Sequence, residues 1–82
     1  MATPTLNELA ESFDTIVAKN PIEPTSVNYD DLIFVLENTV GVPAGITKSE
    51  LREGLEAYKF SITPKYEIEW TGPEVILISI KA

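Results

Sequence analysis

Apolar residues recur at helical spacing as far as Tyr58 and alternate with polar ones from Phe60 onward. In the first part, Leu6, Leu9, Ala10, Phe13, Ile16 and Val17 form one stripe, which predicts a helix over about residues 5–19. Thr5 and Glu8 fit a capping box at its start; alternatively Thr3 caps it and Pro4 takes the first helical position. Asn20 stops it, because a residue before a proline avoids the helical region. The longest apolar run of the front half, Leu32, Ile33, Phe34, Val35 and Leu36, sits at the centre of residues 28–41. Asn28 is a good N-cap, Asp30 and Asp31 face the positive end of the helix dipole, and Gly41 suits a left-handed residue past the C-terminus. These caps predict a middle helix over residues 29–40 against the rival reading of a buried strand. Its apolar residues point nearly all round, so burial on several sides is expected. Thr47 and Glu50 form a second capping box, with Ile46 and Leu51 as its hydrophobic staple. Leu51, Leu55 and Tyr58 give the third helix a narrow inward stripe. Gly54 within that helix points to the close approach of another backbone.

Phe60, Ile62, Tyr66, Ile68 and Trp70 share one face of a predicted strand, with Ser61, Thr63, Lys65, Glu67 and Glu69 on the other. Pro64 marks a bulge or an edge position. Thr71, Gly72 and Pro73 make a turn into a second strand, Val75 to Ile80, so the pair reads as an antiparallel hairpin. A four-residue loop would put Ile76, Ile78 and Ile80 on the charged face of Glu67 and Glu69, and a shift of one residue reverses every side chain. An odd loop of three or five residues is therefore expected. Ile76, Ile78 and Ile80 then turn inward with Ile68 and Trp70, and Val75 and Leu77 lie on the outer face. The connector 21–27 carries two prolines and is expected to be pinned by Ile22 and Val27. The fold class expected is α+β: three helices followed by a C-terminal antiparallel β-hairpin.

With 82 residues the chain makes one small domain. No apolar stretch approaches the roughly 20 residues of a membrane helix, so no membrane partner is expected. The first residues lack the pattern of a signal peptide. The absence of cysteine fits a reducing compartment, and a cytoplasmic location is expected. Thirteen acids against six bases leave a net charge of −7, which counts against nucleic acid as a partner.

The inventory for catalysis is thin. Histidine and cysteine are both absent, which removes the usual general base and the usual activated nucleophiles. Asp30 and Asp31 point about 100° apart on a helix and serve its dipole. Glu67 and Glu69 share a strand face about 7 Å apart and read as a solvated face near Lys65. There is no calcium-loop spacing and no glycine-rich phosphate loop. No catalytic residue, metal site or cofactor is expected, and the chain reads as non-enzymatic.

The order of three helices and a hairpin resembles the layout of winged-helix domains. The resemblance implies that Lys48–Lys59 takes the place of the recognition helix. There Lys48, Arg52 and Lys59 are offset by Glu50, Glu53 and Glu56, and the hairpin tip Thr71–Glu74 carries no base. Even as a winged helix, the chain is expected to bind protein rather than DNA.

The last strand is apolar on both faces and uncharged, and in a two-stranded sheet it has an open edge unless something covers it. Either helices cover it, with Val75 and Leu77 packed under the connector 21–27, or another chain does. The expected function is an interaction or assembly module, an adaptor or a subunit of a larger particle. A protein partner or a second copy would meet the outer hairpin face and edge, at Val75 and Leu77 with Glu67 and Glu69. The alternatives are an acidic decoy for a basic partner, built on clustered acids, and a winged-helix DNA binder.

Overall fold

The cap residues set the boundaries of all three helices. The computed structural model describes residues 3–20, 24–62 and 65–80. Helix α1, Leu6–Lys19, starts at the Thr5–Glu8 capping box, each side chain bonded to the other's backbone N–H. Of the two starts open in the sequence, Thr5 is the cap. Helix α3, Lys48–Lys59, repeats the device with Thr47 and Glu50. Helix α2, Tyr29–Val35, is capped by the Asn28 side chain, which accepts from the Asp31 N–H at 2.8 Å. The middle helix then continues as a wider π turn, Leu36–Val40, instead of one α-helix to residue 40. Gly41 ends it at φ 92°, and the Gly41 and Val42 N–H groups both donate to the Leu36 carbonyl.

The middle helix is not buried on several sides. Tyr29, Leu32 and Leu36 enter the core, Ile33 and Val35 are half-buried, and Phe34 is 65% exposed. Burial follows one stripe at helical spacing, and Phe34 falls opposite it.

The hairpin is β2, Tyr66–Gly72, and β3, Val75–Ile80. Its register pairs Ile68 with Ile78 and Trp70 with Ile76, so five residues separate the last regular pair, an odd loop as expected. Gly72 pairs with Val75, and Thr71 is the extra residue of a bulge. This register turns Ile76 and Ile78 fully inward. Ile80, also expected inside, is 52% exposed; it sits at the strand end, past Ile78, the last residue of β3 that β1 pairs with.

A third strand completes the sheet. β1, Thr25–Asn28, lies between α1 and α2 and pairs antiparallel with β3, giving the order β1-β3-β2. The edge of β3 that the sequence left open is thereby filled by the chain's own connector. Val27 is buried there; Ile22 lies outside the described residues.

The first strand was also expected to begin at Phe60, and it begins at Tyr66. The alternation predicts Phe60 and Ile62 on the inward face, but they are 79% and 94% exposed. Their alternation is real, but they belong to the exit from α3, ahead of the ladder that would hold them inward. Thr63 and Pro64, with the bulge proposed at Pro64, lie outside the described residues.

The inner sheet face and the helices share one core, with Leu9, Phe13, Leu32, Leu36, Leu51 and Leu55 at its centre. Phe13 meets Tyr58 and Tyr66 edge-on, at 5.2 and 5.9 Å between ring centroids. Gly54 admits the N-terminal segment: a Cβ there would stand 3.1 Å from the Pro4 carbonyl oxygen.

Candidate functional site

Strand alternation places Glu67, Glu69, Val75 and Leu77 together on the outer sheet face, away from the helices. Glu69 is paired across the ladder with Leu77, and Glu67 with Ser79. On the far side of β3, Ser26 lies beside Leu77 and Asn28 beside Val75. The four residues expected to form the contact are thus brought onto one surface. Val75 and Leu77 are half-buried by their sheet neighbours, while Glu67 and Glu69 are exposed. Neither glutamate makes an ion pair or a side-chain hydrogen bond among the described residues. A groove of about 400 Å³ runs across β2, from Leu77 and Ser79 past Glu67 and Glu69 to Lys59 and Ser61.

Two hydrogen bonds fix which way the backbone of each strand faces. The Tyr29 N–H donates to the Glu74 carbonyl at 2.9 Å, extending the β1–β3 ladder by one step. Even-numbered residues of β3 therefore turn their backbone groups toward β1, and odd-numbered ones toward β2. On β2 the Tyr66 N–H donates away from β3, to the Tyr58 hydroxyl at 2.8 Å. Glu67 and Glu69 are thus the residues whose backbone bonds to β3, and Tyr66, Ile68 and Trp70 turn their N–H and C=O groups to the outer edge. This edge differs from the one expected to be open, which was on β3.

The inner side of β2 is tied to the helices by polar contacts. The Trp70 indole N–H donates to the Tyr29 hydroxyl at 2.7 Å. Arg52 and Lys59 of α3 both lie over the Trp70 ring, 5.4 and 5.3 Å from its centroid. At the other end of β2, Asp14 of α1 accepts from the Tyr66 hydroxyl and from Lys65, the latter at 2.8 Å. The bonds from Lys65 and Tyr66 hold the Asp14 carboxyl below its ordinary pKa. Burial, then the hydrogen bond to Asp14, pushes the Tyr66 hydroxyl up.

Most other charges are committed locally. Lys48 pairs with Glu74 at 2.9 Å and with Asp30 at 3.8 Å, and Arg52 pairs with Glu56 at 3.0 Å. Glu50 is spent on its cap, Glu53 accepts from Thr3, and Glu37 accepts from the Gly45 N–H. Two of the three bases on α3, the helix in the recognition position, therefore already face carboxylates. Asp30 and Asp31 stay in the first turn of α2. Among the described residues no group of three or more carboxylates is placed to hold a metal, and no helix is long and apolar enough to cross a membrane.

No protein-family model, curated protein or solved structure matches this chain.

Proposed function

We propose that this chain is a non-enzymatic interaction or assembly module, an adaptor or a subunit of a larger particle. It meets a protein partner through the outer face of its sheet, with Val75 and Leu77 at the centre and Glu67 and Glu69 beside them. The supporting observation is that row of residues. It sets Leu77 beside Glu69 over a groove that Glu67 also lines, with Val75 two residues along the same face, and neither carboxylate has a side-chain partner among the described residues. Apolar centres with polar rims are the usual make-up of protein contacts. The contact differs from the sequence expectation in one respect: the edge of β3 is taken by β1, so the face and the β2 side carry it. The lack of histidine and cysteine supports the non-enzymatic reading. A cytoplasmic location belongs to the same proposal and rests on the cysteine-free composition.

The acid-decoy reading draws on the net charge of −7, but Glu50, Glu56 and Glu74 already serve caps and ion pairs. The DNA reading is weakened likewise, since Lys48 and Arg52 are paired with carboxylates. Size-exclusion chromatography with light scattering tests the preferred reading for self-assembly. A multimer that dissociates on Leu77→Glu supports it. A monomer unaffected by Leu77→Glu leaves a different protein as the partner. A multimer that persists in Leu77→Glu contradicts the proposed surface.

A further inference from the structure

Resting on the interaction reading above, we propose that the outer edge of β2 takes an extended segment of a different protein as a fourth strand. That segment carries basic side chains at the alternate positions beside Glu67 and Glu69. Three observations carry this inference. First, β2 is the end strand of the sheet, and the two backbone bonds described above turn the N–H and C=O groups of Ile68 and Trp70 outward. At Tyr66 the edge is closed by the Tyr58 hydroxyl, so the open length is short and begins at Ile68. An added strand satisfies such groups through its own main chain. Second, the groove over β2 reaches this edge and leaves room beside it, with Lys59 and Ser61 on the far bank. Lys59, whose ammonium lies 5.3 Å from the Trp70 ring centroid, also lines this groove.

Third, charge selects the occupant. Glu67 and Glu69 are spaced two residues apart, the repeat of one face of a strand, about 7 Å along the chain. A neighbouring strand with Lys or Arg at alternate positions sets opposite charges side by side. A second copy of this chain fails the same criterion. Two β2 edges meeting about a two-fold axis would bring four glutamates together between molecules that each carry −7.

The test is a titration with the synthetic peptide acetyl-Lys-Val-Lys-Val-Lys-Val-Lys-amide at low salt, followed by amide proton–nitrogen correlation spectra and hydrogen exchange. The expected result is that the Ile68 and Trp70 amides shift and their exchange slows at least about tenfold at saturation. The Glu67→Gln/Glu69→Gln double variant should bind about tenfold more weakly, at the upper end for two exposed charge pairs. A peptide N-methylated at alternate residues, unable to donate to the edge, should give no slowing. Shifts confined to Val75, Leu77 and Ser79 without slowed exchange at Ile68 and Trp70 overturn strand addition and leave the outer-face reading standing. No shift at about 1 mM peptide, a free energy too weak for a built site, overturns the inference as well. The Leu77→Glu assembly test then judges the outer-face reading separately.

Discussion

The Trp70 indole N–H donates to the Tyr29 hydroxyl at 2.7 Å, joining the end of β2 to the first residue of α2 across 41 positions of sequence. Tyr29 is buried and its backbone N–H also holds the Glu74 carbonyl, so one residue fixes both the sheet's third strand and the hairpin. Tyr29→Phe leaves the indole N–H without this acceptor. Loss of about 1 kcal/mol is expected, the cost of a partly buried donor left unpaired. Urea unfolding followed by the fluorescence of Trp70, the one tryptophan, measures it.

The isoleucines of β3 separate by register. Ile76→Ala and Ile78→Ala should each cost about 2–5 kcal/mol, because both side chains are fully buried. Ile80→Ala should cost under about 1 kcal/mol, since half of that residue is already in water. Equal losses at all three positions in denaturant unfolding contradict the register.

Gly54 exchanges helix propensity for close approach. Alanine in an exposed helix interior is worth about 1 kcal/mol over glycine. At position 54 its Cβ meets the Pro4 carbonyl at 3.1 Å, so Gly54→Ala should show none of that gain. Gly54→Val should cost at least about 2 kcal/mol as the N-terminal segment is displaced. A thermal-melt series over the two variants decides this; stabilisation by Gly54→Ala contradicts the contact.

Acid should loosen the tie between α1 and β2. The folded-state pKa of Asp14 is depressed, first by the Lys65 bond and then by that of Tyr66. Its stabilisation is therefore full above the unfolded carboxylate value, about 4, and is lost as pH falls through the lower folded value. Lys65 and Tyr66 are raised, so their contributions hold at neutral pH and fade only as pH rises past about 10. Asp14→Asn should flatten the acid limb of a plot of urea midpoint against pH. An unchanged acid limb contradicts the pairing.

What the chain disclosed in advance was what local chemistry writes. Thr5 with Glu8, Thr47 with Glu50, Asn28 and Gly41 each satisfy orphan groups at a helix end, and all four sit where their residue types require. The hairpin register was legible because only one parity puts the isoleucines inside. β1 was not, because four residues beside two prolines carry no periodic signal of their own. Their strand character comes from pairing with β3, about fifty positions away. Phe60 and Ile62 misled for the same reason in reverse: they alternate correctly but have no partner strand. At the candidate surface, Glu67, Glu69, Val75 and Leu77 were legible as one face. Which edge of the hairpin stayed open depended on the unseen strand.

Crosslinking in the native source is the sharpest test of the proposed contact through the outer sheet face. A photo-crosslinking residue is placed at position 77, on that face, and in a second protein at position 11, exposed on α1. A discrete adduct from position 77 and none from position 11 is the expected result. No adduct from position 77, or equal adducts from both, contradicts it.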